Sequence, residues 1–329
     1  MLSAPDLERS VTLINVVRQP ADRQVYMSSF CEAWIASGGC AILRPKSLDN
    51  RMIKNIVKAA AMTGVHAVNS RRAYLVCSRG QHLLKSSLPF NFKGEIIPML
   101  WDCWPYTWRQ LRRDLSRLNV RTCFMTASDA VRHFQPLFPD IEFIHMPEGL
   151  DMSDYQPGPA LAERGIDIYE IGRKYPAYHQ RLIEAGIGDR HSFIYLDKKP
   201  DGRSYIFETF DDYLAALRDS KINISFPASV TDEVNREVET LTMRYWEGML
   251  SRCVIVGHCP RELSDLIGYN PVIEADLGDP AGQLEAILGD IASYQPLVDR
   301  NLETARRFAS WRVRVAEMRR VLSERGYNV

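Results

Sequence analysis

Nowhere in the 329 residues is there an apolar run of the roughly 18 residues that a membrane-spanning helix needs. The opening MLSAPDLERS is polar and acidic and lacks the apolar core of a secretory signal, so the expected location is the cytoplasm. Seven cysteines are present, an odd number without a C-x-x-C pair, and several stand inside apolar runs. They read as buried thiols, which sets aside a disulfide framework and a cysteine metal centre. No D-x-D triplet is available to hold a divalent cation on a diphosphate, so no metal is expected. Glycine is missing from VTLINVVRQPADRQ (11–24), the first strand-like run and the residues after it. A dinucleotide fingerprint and a Walker phosphate loop both need glycine there, so dehydrogenase and ATPase readings fall away. Internal repeats and low-complexity segments are absent as well.

What is present is enough apolar sequence for two cores: 46% of the residues are hydrophobic and 25% charged. Strand-like runs recur at 11–17, 40–44, 73–78, 95–100, 121–127 and 141–146, then at 166–172, 192–197, 221–226, 253–257 and 270–275. Apolar, β-branched runs alternating with amphipathic segments are the pattern of a parallel sheet covered on both faces. Between the two sets lies PEGLDMSDYQPGP (147–159), rich in Pro, Gly and acidic residues as an exposed linker is. The zero net charge hides an asymmetry: residues 1–150 hold 19 Lys or Arg against 12 Asp or Glu, and the remainder 22 against 29. A basic half joined to an acidic half suggests two domains with different partners.

Glu239 and Glu247, in ETLTMRYWE between strand-like KINISF and CVIVG, are the most informative pair. With 242–250 helical, Glu247 lies within the helix and Glu239 on the loop before it, so the two carboxylates can hold different parts of one ligand. The helix N-terminus between them offers free N–H groups and the positive end of the dipole to a phosphate. An ionised carboxylate only accepts hydrogen bonds, which suits sugar and ribose hydroxyls. Together these features suggest a nucleotide-sugar site. Thr240 or Thr242 is expected to cap the helix through its hydroxyl, the alternative being contact with the donor. Arg244, three residues before Glu247, either pairs with that Glu or points toward phosphate.

The stretch from Lys221 to Glu262 resembles the donor-binding core of GT-B glycosyltransferases of the family 4 and family 1 kind, in which an E-x7-E pattern opens the helix. The linker resembles the interdomain segment of the same family, keeping Gly149, Leu150, Asp151, Tyr155 and Pro157, with Glu148 in place of an Asn. LETARRFASWRVRVAEMRRVL (302–322), one long amphipathic helix by its pattern, resembles the closing helix that packs back on the first domain. The resemblance implies an α/β protein with two Rossmann-like, doubly wound domains facing a cleft. They would be an acceptor domain at 1–150, a donor domain at 151–305 and a returning helix at 306–329. It also implies a UDP- or GDP-linked sugar as donor, retention at the anomeric carbon, Glu239 on the sugar and Glu247 on the ribose. The family's glycines after the first Glu are replaced here by Thr240, Leu241 and Thr242. A Gly-Arg pair with a later Lys serves the diphosphate in the family. Arg173 matches the Arg, Lys174 follows it at once, and Lys198, Lys199 and Arg203 are alternatives.

In the first half, MLWDCWPYTWRQLRRDLSRL (99–118) stands out, with three Trp in eight positions. Asp102 follows strand-like EIIPML, where a side chain of a parallel sheet faces the ligand crevice, so it is the candidate general base, or else it orients a helix start. Arg109, Arg113 and Arg117 recur on one helix face, opposite Leu111, Leu115 and Leu118. An Arg face beside exposed aromatics suits an anionic membrane surface or a polyanionic acceptor, as well as plain solvation, and the family resemblance implies a glycan or lipid-linked acceptor. No nucleic-acid partner is expected. The rival functions are a nucleotide-sugar epimerase or phosphorylase on this fold, and a silent protein that binds a nucleotide sugar or a partner subunit.

Overall fold

The computed structural model describes residues 9–14, 25–38, 41–43, 55, 59–64, 71–196 and 206–329. The chain divides into two compact units, one of Met1–Glu148 with Trp311–Val329 and one of Gly149–Ser310. The described strands of each form one parallel sheet.

The first unit holds β1 (Arg9–Ile14), β2 (Ala41–Leu43), β3 (Arg72–Arg79), β4 (Glu95–Trp101), β5 (Thr122–Met125), β6 (Glu142–His145) and β12 (Tyr327–Asn328). Their order is β12-β1-β3-β4-β5-β6, with β2 also paired to β1. Every residue of β4 is buried, which is why its sequence runs apolar almost without alternation. The final helix, Trp311–Glu324, belongs to this unit. Trp311 meets the rings of Phe30 at 5.4 Å and Trp101 at 5.9 Å, both edge-on, and Val315, Met318 and Leu322 continue the same core.

The single helix expected at 302–322 is two helices, Gln295–Phe308 and Trp311–Glu324. Leu150 N–H donates to the Ala309 carbonyl at 2.8 Å and Leu150 bridges Ser310, so the chain is extended where the second unit ends. The amphipathic pattern crosses the break because both helices bury one face. Of the aromatics in 99–118, Tyr106 is exposed as expected, but the Trp residues are not. Trp101 and Trp104 are buried, and Trp108 stacks on His133 at 3.7 Å. Leu111, Leu115 and Leu118 do point inward, while Arg109 and Arg113 are exposed; the helix Pro105–Leu115 stops before Arg117. Six described cysteines are buried free thiols, and no described helix is long and apolar enough to cross a membrane.

The second unit holds β7 (Ile166–Glu170), β8 (Phe193–Tyr195), β9 (Ser220–Ser225), β10 (Val254–Gly257) and β11 (Val272–Glu274), in the order β11-β10-β9-β7-β8. The chain runs outward from β7 to β8, then crosses to β9 on the other side of β7. That reversal makes the carboxyl ends of β7 and β9 the topological switch point, where open parallel sheets leave a crevice for ligands. Two glycines shape this edge. A Cβ on Gly257, at φ 153°, would lie 1.8 Å from the Ser225 carbonyl oxygen, so β10 can finish against β9 only with glycine. A Cβ on Gly248 would lie 2.7 Å from the Asn223 amide nitrogen and 3.1 Å from the Ile255 side chain. Its absence lets the helix Met243–Leu250 lie close on β9 and β10.

Candidate functional site

Four neighbouring strands end in Glu170, Ser225, Gly257 and Glu274. The helix Met243–Leu250 begins at the same edge, with Glu239 on the loop before it and Glu247 inside it. Thr242 has the extended backbone of a helix N-cap, but its hydroxyl makes no capping bond, which overturns the capping expected of it. Thr242 Oγ1 is buried without a partner. The loop is fixed from a neighbouring helix, Arg261–Ile267, instead. Glu262 Oε2 accepts the Leu241 N–H at 2.8 Å, and Glu239 Oε1 accepts the Arg261 N–H at 2.6 Å. Thr240 is buried within this stitched segment. His258 then stands between two carboxylates, 3.5 Å from Glu239 and 3.2 Å from Glu274.

Of the two roles expected of Arg244, the structure does not show the pairing with Glu247. The Arg244 guanidinium donates to the main-chain carbonyls of Phe226 at 3.1 Å and Arg173 at 3.3 Å. The contact depends on Gly172, at φ 101°, where a Cβ would come within 3.2 Å of the Arg244 side chain. Arg244 thereby ties the loop after β7 to the end of β9. Arg173 extends from that loop with an exposed side chain. Lys174 lies between His179, 3.0 Å away, and the ring of Tyr195. Lys198, Lys199 and Arg203 fall outside the described residues.

Glu247 is only 6% exposed, and each carboxylate oxygen accepts a tyrosine hydroxyl, from Tyr155 at 2.8 Å and Tyr213 at 2.9 Å. Burial raises its pKa above the ordinary carboxylate value, and the two hydroxyls and the Arg244 charge pull the other way. A carboxylate has about four acceptor positions, so two tyrosines leave room for a further donor. The raised value has a consequence for stability. Where the folded chain holds a proton that the unfolded chain has lost, stability falls as pH rises. Stability associated with Glu247 is therefore complete below the unfolded value of about 4.3 and lost as pH rises through the folded value. Glu247→Gln removes that slope. Thermal midpoints recorded against pH should show the variant gaining on the parent as pH rises through this window. A constant difference would contradict the account.

Asp102 lies in the first unit, directly after β4, in a left-handed conformation at φ 53°. Such a backbone costs roughly 1–3 kcal/mol outside glycine. Its carboxylate is 3.1 Å from Arg79 Nε, at the end of β3, and about a third of each side chain is exposed.

Several atoms at the carboxyl edge of the second sheet lack partners among the described residues: Glu170 Oε1, Ser225 Oγ, Ser229 Oγ and Thr242 Oγ1. Each unsatisfied buried polar group costs about 1–3 kcal/mol, so such atoms at a switch point suit a polar ligand or water there. No group of three or more His, Cys, Asp or Glu able to hold a metal ion stands among the described residues. Sequence reasoning did not single out Glu170, Tyr213 or His179 as parts of the site. The signal available was position alone, since Glu170 ends a strand and His179 opens the helix after it.

No protein-family model matches the chain, and no curated protein matches it in sequence. Solved structures match it over nearly its whole length. A sucrose-phosphate synthase from Thermosynechococcus elongatus superposes with a TM-score of 0.61 at 12% identity, covering 96% of this chain and 99% of its own. HepE from Anabaena, determined in complex with UDP-glucose, gives 0.57 at 9% identity, with 96% and 99% covered. A glycosyltransferase from Rickettsia africae gives 0.55 at 12% identity, with 96% and 98% covered. The chain has the GT-B fold of two Rossmann-like α/β domains.

Proposed function

We infer that this chain is a glycosyltransferase that moves a sugar from a nucleoside-diphosphate sugar to a hydroxyl acceptor, without a metal ion and with retention. The observation that carries the reading is the group of unpartnered buried polar atoms at the second unit's switch point, beside a helix N-terminus and the Glu239–Glu247 pair. Free N–H groups and the helix dipole suit a diphosphate, and carboxylates suit hydroxyls. In this reading Glu247 takes the ribose, Glu239 takes the sugar, and Arg173 and Lys174 oppose charge building on the leaving diphosphate. Thr242, with its unpartnered hydroxyl, reaches the donor, while Arg244 fixes the loop that carries Arg173. The UDP-glucose complex of HepE supports a UDP-linked donor, and the missing D-x-D triplet supports metal independence. A glycan or lipid-linked acceptor would use the basic first half, at an anionic membrane face in the lipid case.

Two variants test the division of roles. Glu239→Gln should leave UDP or GDP affinity within about twofold and cut sugar transfer by roughly 10-fold or more, because the sugar contact is missing from the free nucleotide. Equal losses of nucleotide and nucleotide-sugar affinity would contradict it. Asp102→Asn distinguishes a base from a structural residue, since the amide keeps the shape but cannot take the acceptor proton. With retention, the leaving phosphate accepts that proton and the variant stays active. A dead variant whose parent gives an inverted product, read by proton NMR of the anomer, would overturn retention and make Asp102 the base.

A further inference from the structure

The carboxylate of Glu170 is unusually deep for the end of a strand in a ligand crevice, at 1% exposure. One oxygen, Oε2, is 2.5 Å from His179 Nδ1, and the other, Oε1, has no donor among the described residues. The far nitrogen of the same imidazole, Nε2, is 3.0 Å from Lys174 Nζ. An ammonium has donors and no acceptor, so Nε2 must accept from Lys174, and Nδ1 carries the hydrogen that is donated to Glu170. The tautomer is thereby fixed. The ammonium also lies 4.5 Å from the centre of the Tyr195 ring, and the imidazole meets that ring edge-on at 5.0 Å. Three elements of one unit, the end of β7, the loop after it and the first turn of the helix Pro176–Glu184, thus converge on one lysine.

We propose that Glu170 and His179 are positioning residues that hold the Lys174 ammonium at the β7 side of the switch point, aimed at the terminal phosphate of a nucleoside diphosphate. A lysine on a flexible stem loses rotamer freedom when it is fixed, and a relay that fixes it beforehand removes that loss from the binding step. The carboxylate–imidazole pair keeps a neutral acceptor against the ammonium, where a second cation would repel it. Arg244, on another element, donates to the Arg173 and Phe226 carbonyls and so sets the loop that carries Lys174. This rests on the nucleotide-sugar reading above.

The test is a double-mutant cycle on the full chain, with UDP, GDP, UMP and GMP as calorimetric probes. Lys174→Met and His179→Ala should each weaken the bound diphosphate about tenfold and change its monophosphate by less than about twofold. The double variant should be no weaker than Lys174→Met alone, because His179 acts through the lysine. Glu170→Gln, which keeps shape and an acceptor for the imidazole, should weaken the diphosphate less than His179→Ala. Additive losses, or equal losses for mono- and diphosphate, would overturn the positioning role while leaving the nucleotide site standing. A parent protein that binds neither diphosphate would overturn both readings. Thermal midpoints of each variant without ligand show that a loss is not unfolding, and Glu170→Gln carries the comparison if His179→Ala fails to fold.

Discussion

Replacing Glu247 with alanine is expected to lower nucleoside diphosphate affinity by roughly 10- to 100-fold, the value of a hydrogen bond to a charged group at about 1.5–3 kcal/mol. It should also destabilise the second unit. Tyr155 and Tyr213 donate to this carboxylate, and without it both hydroxyls lose their acceptor inside the protein. At about 1–3 kcal/mol for each stranded group, less what is gained by not burying a charge, a net loss of roughly 2–4 kcal/mol follows. Calorimetry with UDP and GDP checks the first part and denaturant titration the second. Full affinity in a folded variant would remove Glu247 from the ribose. An unchanged denaturation midpoint would mean that the tyrosines find other partners.

The second large effect belongs to Trp311. Truncating it to alanine should cost about 3–5 kcal/mol, because the indole packs edge-on against both Phe30 and Trp101 and is buried. For a unit of this size that corresponds to roughly 6–20 °C in its unfolding midpoint. In the proposed reading the donor binds the other unit, so donor affinity should be unchanged well below that transition. A loss under 1 kcal/mol would mean that the returning helix is held elsewhere.

The fold was legible because both sheets are parallel and their central strands are buried on both faces, so those strands announce themselves as apolar runs. The runs at 95–100, 221–226 and 253–257 became β4, β9 and β10 within a residue or two. Where the pattern misled, a local competitor won. The periodicity of 302–322 is continuous, and nothing in it shows that Leu150 takes the Ala309 carbonyl and opens the chain there. The Trp-rich stretch looked exposed because Arg residues are interleaved with it, but Trp101 is the last residue of a buried strand. At the candidate site, the helix expected at 242–250 is Met243–Leu250, with Glu247 inside it and Glu239 on the loop before it. The spacing did not predict that Thr242 would leave the helix uncapped, because Glu262, twenty-one residues away from Leu241, does the stitching. Glu170 and His179 meet across nine residues from a strand end to the next helix, whereas Tyr155 and Tyr213 are brought to Glu247 from segments 92 and 34 residues away. Contacts of that range have no local sequence signature.

The central claim is tested most directly by incubating the full chain with UDP- and GDP-linked sugars and following both the nucleotide and the sugar by NMR. A glycosyltransferase releases the nucleoside diphosphate as the sugar passes to an acceptor or to water, and Glu247→Ala should suppress that release. Recovery of every nucleotide sugar intact, or with its sugar epimerised and still attached, would contradict the account.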